Sequence, residues 1–255
     1  MMATEITQTT KAHISVVRQE RGVERDDLPT WTDDGAAIDF ESCVPVVARH
    51  DVPEVPGCFV LENVLTPGEC DQFVRVTEEM GYHTDSPVSL PHHIRHNENV
   101  NWIVSKAVDR TIWRRSAPFI HESVGRSVAR GINARFRFYR YGTGDFFRFH
   151  TDGSWPGSRV LDGSVVDDAY APWHSAYTYL ILLSDDFDGG RTLFSVPGAR
   201  GEGRDSTEGL VVGVRTPKGG VLCFPHGSHP LHCLHAGEAI SRGWKYIIRT
   251  DVLFG

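Results

Sequence analysis

Four side chains in this sequence have the types and spacing for joint redox chemistry: His150, Asp152, His235 and Lys245. His150 and Asp152 close the stretch Phe146-Phe147-Arg148-Phe149-His150-Thr151-Asp152-Gly153. In an extended chain, residues i and i+2 point the same way, so the pair can bite one ion together. His235 follows 83 residues after Asp152, with Lys245 ten residues beyond it. Two imidazoles and one carboxylate on one face of a metal, with other positions open, suit non-haem Fe(II) and O2 chemistry. Thirteen histidines make a chance His-x-Asp pair common. The weight therefore rests on context: Tyr141-Gly142-Thr143-Gly144 before the pair, and Ala236-Gly237 after His235. His229 and His232 compete with His235 as third ligand. His229 precedes Pro230 in a turn, and His232 faces away from His235 in a regular strand. His235 is preferred because its spacing to Lys245 fits. His92, His93 and His96 form another histidine group, read as a solvated loop rather than a second metal site.

These residues need strands to hold them. From residue 134 the hydrophobic period is two, beginning with Arg135-Phe136-Arg137-Phe138-Tyr139-Arg140-Tyr141. After a Gly142-Thr143-Gly144 turn the chain returns over 145–151. Further strands are expected at 175–184, 191–195, 209–215, 219–225, 231–236 and 244–253. Eight short strands after a helical N-terminal part predict a mainly β fold. The expected architecture is a double-stranded β-helix, or jelly roll, buttressed by N-terminal helices. Upstream, 57–65 reads as a strand. A helix then starts at the N-cap Thr66, with Pro67 in its first turn and Glu69 completing a capping box. Cys70, Phe73, Val74, Thr77 and Met80 share its inner face, and Gly81 ends it. Residues 102–115 and 117–132 read as two more helices, the second from the four-residue recurrence of Ile120, Val124, Val128 and Ile132. Residues 1–55 are expected to be a partly flexible extension, with its first thirty residues a loose arm. Residues 56–255 form the domain. The linkers 153–174 and 196–208 are long for a sandwich, a sign of function or mobility.

Composition narrows the classes. The 255 residues are 40% hydrophobic and 23% charged, ordinary for a globular protein. A net charge of -7 argues against nucleic acid as a partner. No apolar run reaches the roughly 18 residues of a membrane span, and the N-terminus lacks a signal-peptide pattern. The five cysteines are scattered and read as reduced residues of a cytoplasmic protein, with a Cys223–Cys233 disulfide the minor alternative.

Residues 58–255 resemble the prolyl 4-hydroxylase-type branch of the Fe(II)/2-oxoglutarate-dependent dioxygenases. The stretches that carry the resemblance run in order along the chain. They are Asn63-Val64-Leu65-Thr66-Pro67-Gly68-Glu69-Cys70, Phe138-Tyr139-Arg140-Tyr141-Gly142-x-Gly144 and His150-x-Asp152-Gly153. Then come Leu183-Ser184-Asp185-Asp186-Phe187-Asp188-Gly189-Gly190-Arg191-Thr192, His235-Ala236-Gly237 and Arg242-Gly243-Trp244-Lys245-Tyr246. Arg191 departs from the acidic residue usual after Gly-Gly, which puts a local ion pair in doubt. The resemblance implies Fe(II) on His150, Asp152 and His235, with O2 and 2-oxoglutarate as co-substrates and ascorbate as an in vitro reductant. Lys245 would take the far carboxylate of 2-oxoglutarate, which cannot be buried without a cation. Tyr141 and Thr178 match positions that hydrogen-bond the co-substrate. Asp152 argues against the related halogenases, which lack that carboxylate.

Strand parity extends the site. If Tyr141 and Lys245 face a cavity, so do Arg137, Tyr139, Ile247, Arg249 and Asp251. Either Arg249 and Asp251 pair with each other or with Arg137, or Arg137 or Arg249 reads an anionic group on the substrate. Trp155, at the start of the 153–174 loop, is expected in a lid, and Arg95 and Asn97 in a second wall. The expected function is hydroxylation of a C–H bond on a small molecule, an amino acid or secondary metabolite, with release of succinate and CO2. A peptidyl hydroxylase and a non-catalytic 2-oxoglutarate- or metal-binding sensor are the alternatives.

Overall fold

In the computed structural model the described residues are 13–43, 46–87, 91, 93–196 and 210–255. His92 and nearly all of the 196–208 linker lie outside them. Two sheets face each other. The larger runs in the order Ile14–Glu20, Leu28–Asp33, Glu98–Ile103, Arg135–Tyr141, Lys245–Phe254, His174–Leu182, Val221–Pro225, Phe59–Glu62, Ala48–Asp51. The smaller runs Leu210–Val214, Thr192–Val196, Leu234–Gly237, Phe146–His150, Arg95–His96. All eight expected strands from residue 135 onward are present, four in each sheet. Along the chain they alternate between sheets except for the paired neighbours Thr192–Val196 and Leu210–Val214, the order of a jelly roll.

The large sheet separates two kinds of interior. Phe136, Phe138, Tyr179, Ile181 and Ile248 point outward into the main hydrophobic core. There Trp102 stacks on Phe138 at 5.6 Å, and Phe73 packs against both rings. Phe73 comes from the helix Pro67–Met80, which has the expected capping box between Thr66 and Glu69. Buried Glu69 is also held by Arg115 at 2.7 Å. The inner face carries two smaller clusters, one of them joining Leu222 and Phe224 to Phe194 and Val196 of the opposite sheet. The other contains Tyr139, Tyr141, Leu182 and Ile247. Between these clusters the cavity opens.

Three expectations need correction. Residues 98–103 are a strand, and the helix runs only over Lys106–Ser116. The pull of the sheet decides this: Trp102 pairs across from Phe136, and Asn101 from Arg137. Residues 117–132 are not a helix but a short 3-10 turn followed by the hairpin Ser123–Val124 and Ser127–Ile132. A spacing of four residues is also a multiple of the strand period, and Gly125 at φ +62° makes the turn a helix would have to absorb. Ile132 then pairs with Val252, while Val128 stays exposed. Finally, residues 14–33 are not a loose arm. Leu28–Asp33 lies parallel to Glu98–Ile103, Glu20 pairs with Arg135, and Asp85 accepts from the backbone of Val23, Glu24 and Arg25. Polar composition hid an extension that is anchored by ion pairs and ladder hydrogen bonds as well as by buried Leu28 and the packing of Ile14 and Trp31 on the main core.

No helix among the described residues is long and apolar enough to cross a membrane. All five cysteines are free thiols.

Candidate metal and co-substrate site

His150 and His235 sit opposite each other on neighbouring antiparallel strands of the small sheet. Their ring centroids are 4.2 Å apart. Asp152 follows two residues after His150 and turns its carboxylate between them. Its oxygens lie 3.8 Å from His150 Nε2 and 3.7 Å from His235 Nε2. An ion with bonds of about 2.0–2.2 Å can bridge such separations. Among the described residues these three form the one group of metal-ligating side chains close enough to hold an ion.

Each ligand is oriented from behind. His150 Nδ1 donates to the carbonyl of Arg148 at 2.8 Å, and His235 Nδ1 to that of Cys233 at 3.2 Å. Both rings therefore turn Nε2 to the metal position, as a hydrogen-bonded outer partner normally ensures. Burial pushes His150 down to about 4, with His235 adding to the shift, and burial lowers His235 as well. Both are neutral, as ligation requires. Burial alone would raise Asp152. Arg249, and then the two histidines, hold it well below the usual carboxylate range instead.

The orientation of Asp152 comes from a buried chain that sequence reasoning missed. Thr178 Oγ1 donates to Asp152 Oδ2 at 2.6 Å and accepts from His226 Nδ1 at 2.8 Å. His226 Nε2 accepts from Ser175 Oγ at 2.9 Å, and Ser175 Oγ in turn accepts the Trp155 backbone N–H. His226 is 1% exposed, and burial lowers its pKa, so the neutral ring can donate at one nitrogen and accept at the other. Thr178, expected to bond the co-substrate, lines the cavity but gives its proton to Asp152. No local signal marked His226, because its partners come from strands brought together only by folding.

The ion position opens into a cavity of about 320 Å³. Its wall is the inner face of Arg135–Tyr141 and Lys245–Phe254, where Tyr141 lies across from Lys245, Tyr139 from Ile247 and Arg137 from Arg249. All six of these side chains line it, as parity predicted. Asp251 lies behind Arg249 rather than on the lining. Lys245 is buried, and its ammonium donates to the carbonyl of Gly190 at 2.6 Å, 5.8 Å from the Tyr141 ring centroid. Gly190 must be glycine: its φ is +68°, and a Cβ would meet Ile240 at 2.5 Å and Lys245 itself at 3.2 Å. Burial, and then Arg215, push Lys245 down to about 8. The nearby carboxylate, Glu238, is bound to Arg191 at 2.6 Å. So Arg191 does form the local ion pair that its unusual identity put in doubt.

The remaining expectations divide. Arg249 is closed in by Asp251 at 3.0 Å and Asp152 at 3.3 Å, which is the plain pairing. Arg137 stays outside that pairing. Arg95 lines the cavity over the rings of Tyr139 and Phe147, whereas Asn97 is buried outside it, beside a separate surface pocket. Trp155 lines the cavity, but the loop behind it is no free lid. Its start is tied to Ser175, its hairpin Arg159–Leu161 and Ser164–Val166 packs on the outer core, and Arg159 is paired with Asp109.

No family model and no curated protein matches the sequence. Solved structures do. One is a prolyl hydroxylase from Trichoplax adhaerens in complex with a hypoxia inducible factor oxygen degradation domain peptide fragment. It is 16% identical, over 77% of this chain and 83% of that one, with a TM-score of 0.53. Looser likenesses are a viral collagen prolyl hydroxylase from Paramecium Bursaria Chlorella virus-1 in a 2OG complex (16% identity, 82% and 96% covered, TM-score 0.45) and the alpha ketoglutarate dependent carbocyclase SnoK from nogalamycin biosynthesis (13%, 78% and 79%, 0.43). The chain thus has the fold of the prolyl-hydroxylase-like 2-oxoglutarate and Fe(II) oxygenases, and its own His150, Asp152, His235 and Lys245 fit both the iron and the 2-oxoglutarate.

Proposed function

We propose that this protein is a 2-oxoglutarate- and Fe(II)-dependent oxygenase that hydroxylates a C–H bond of a small molecule, an amino acid or secondary metabolite. The observation that carries the reading is a buried lysine, with no carboxylate partner among the described residues, in the same cavity as an oriented His-Asp-His triad. A buried cation held only by a backbone carbonyl is a costly arrangement unless an anion joins it. When bound, iron with 2-oxoglutarate and O2 supplies the oxidising chemistry, with succinate and CO2 as co-products. The chain's part is to hold and orient. His150, Asp152 and His235 hold the metal, Lys245 binds the far carboxylate, and Thr178 fixes Asp152. The apolar groups Leu180, Ile240 and Ile247 help keep water from the reacting face.

The cavity size supports a small substrate. At about 320 Å³ it lies at the low end of the roughly 300–1,000 Å³ usual for ligand sites, and it must hold 2-oxoglutarate as well. The free cysteines suit a reducing compartment, so the proposal places the protein in the cytoplasm.

The test is succinate release from 2-oxoglutarate with Fe(II) and ascorbate, using wild type and Asp152→Ala. Turnover that vanishes in the variant supports the enzyme. Tight 2-oxoglutarate binding without turnover, with or without any candidate substrate, would establish the sensor reading instead.

A further inference from the structure

We propose that Arg137 binds a carboxylate on the substrate, so that the substrate class is a small carboxylic acid. This deepens the oxygenase reading and rests on it. Arg137 and Arg249 face each other across the ladder between their strands. Like charges placed directly opposite are destabilising. Arg249 is relieved by Asp251 and Asp152. Arg137 makes no ion pair among the described residues, and its Nη1 is sealed from solvent without a hydrogen-bond partner among them. Its guanidinium instead lies 5.7 Å from the Trp155 ring centroid, at the cavity wall. A buried donor left unsatisfied costs about 1–3 kcal/mol, more when charged. Arg137 therefore stands on the cavity lining with an unmet demand for an acceptor.

2-Oxoglutarate does not meet that demand. Arg137 is four residues from Tyr141, the cross-strand partner of Lys245, which is about 13 Å along a strand. The far carboxylate of 2-oxoglutarate, held at Lys245, therefore sits at the other end of this ladder from Arg137. The charges point the same way. Fe(II), 2-oxoglutarate, Asp152 and Lys245 together are neutral. Arg249 and Asp251 cancel. Arg137 is left with a positive charge that one carboxylate balances, while Arg95, also on the lining, donates to Ser86 at 3.0 Å. The planar guanidinium also matches a carboxylate in a two-point contact. The Trp155 indole beside it offers a flat apolar surface to the atoms next to that carboxylate.

The test uses free and N-acetylated amino acids, each paired with its carboxamide, plus a set of phosphate monoesters. Wild-type, R137Q and R137K proteins are assayed for substrate-stimulated 2-oxoglutarate decarboxylation, and for binding by calorimetry in the Zn(II)- and 2-oxoglutarate-loaded form. The expected result is that an acid stimulates and binds at least tenfold better than its amide. R137Q then abolishes this preference and raises the KM of the acid at least tenfold, with less than a threefold change in the 2-oxoglutarate KM. R137K restores part of the preference, and the melting temperature of R137Q holds or rises, because an uncompensated charge has been removed. Amides equal to acids, phosphate esters better than acids, or no response to any acid each overturn the proposal. So does a fall in the melting temperature of R137Q with the acid preference intact, which marks a structural arginine. Succinate release by wild type, with or without substrate, keeps the oxygenase reading standing through any of these failures, and its absence under both conditions sinks that reading instead.

Discussion

Buried charge is handled in opposite ways in two regions of the cavity. Around Asp152 the charged and polar groups are joined into a net. Two histidines are pinned by backbone carbonyls, the carboxylate by Thr178 and Arg249, and Arg249 by Asp251. Along the rest of the wall, buried Lys245 and half-buried Arg137 are cations without a carboxylate partner among the described residues. Satisfied networks rigidify and position, while unsatisfied ones demand a ligand. The contrast separates residues that hold the metal from residues that select what comes to it.

Breaking the closed net should have the largest effect. Asp152→Ala removes a metal ligand and one partner of Arg249, and succinate release should fall to background. Retained turnover would mean the triad is not the metal site. At the open region, Lys245→Ala should weaken 2-oxoglutarate binding by roughly 30-fold or more, since truncating one partner of a buried charge pair costs about 2–5 kcal/mol. Calorimetry on the Zn(II)-loaded protein would read this directly, and an unchanged affinity would remove Lys245 from the co-substrate site. The same lysine predicts a pH dependence. With its pKa lowered to about 8 by burial and Arg215, it is charged below that pH and increasingly neutral above it. Binding of the dianion needs the charged form, so affinity should be flat up to about pH 8 and then decline toward pH 10. In the Lys245→Ala variant that decline should vanish.

A more modest change tests the support behind Asp152. Thr178→Val cuts its link to His226 and should lower metal affinity by about 10–100-fold, the usual range for outer partners of a ligand. Thr178→Ser should restore most of it. Equal affinities across this series would reduce the buried chain to ordinary packing. The smallest effect is expected on the far side of the large sheet. Thr66→Ala removes the helix cap and should cost about 1 kcal/mol of stability, read by denaturant unfolding, with no change in the 2-oxoglutarate KM. A shifted KM would show that the outer core and the cavity are coupled.

Much of this was legible in sequence because it is local. A two-residue period marked the eight jelly-roll strands. The same parity placed Arg137, Tyr139 and Tyr141, and Lys245, Ile247 and Arg249, on the cavity wall. The capping box at Thr66 and Glu69 announced its helix. The failures share a cause as well. The stripe Ile120, Val124, Val128 and Ile132 satisfies a helix and a hairpin equally, and only pairing with Val252 settles it. Trp102 and Ile103 look like the start of a helix until Arg135–Tyr141 offers them a ladder.

By itself, then, the sequence determined the strand faces and the residue types that converge on one ion. Both follow from the alternation of side chains along an extended chain. Tertiary structure alone decided which charges cancel. Arg249 and Arg137 stand on identical strand faces, two positions of the same ladder. Asp152 and Asp251 reach Arg249, and Trp155 reaches Arg137, through contacts between distant segments that no local pattern records. That difference in partners, set by packing, separates a scaffold arginine from a substrate-binding one.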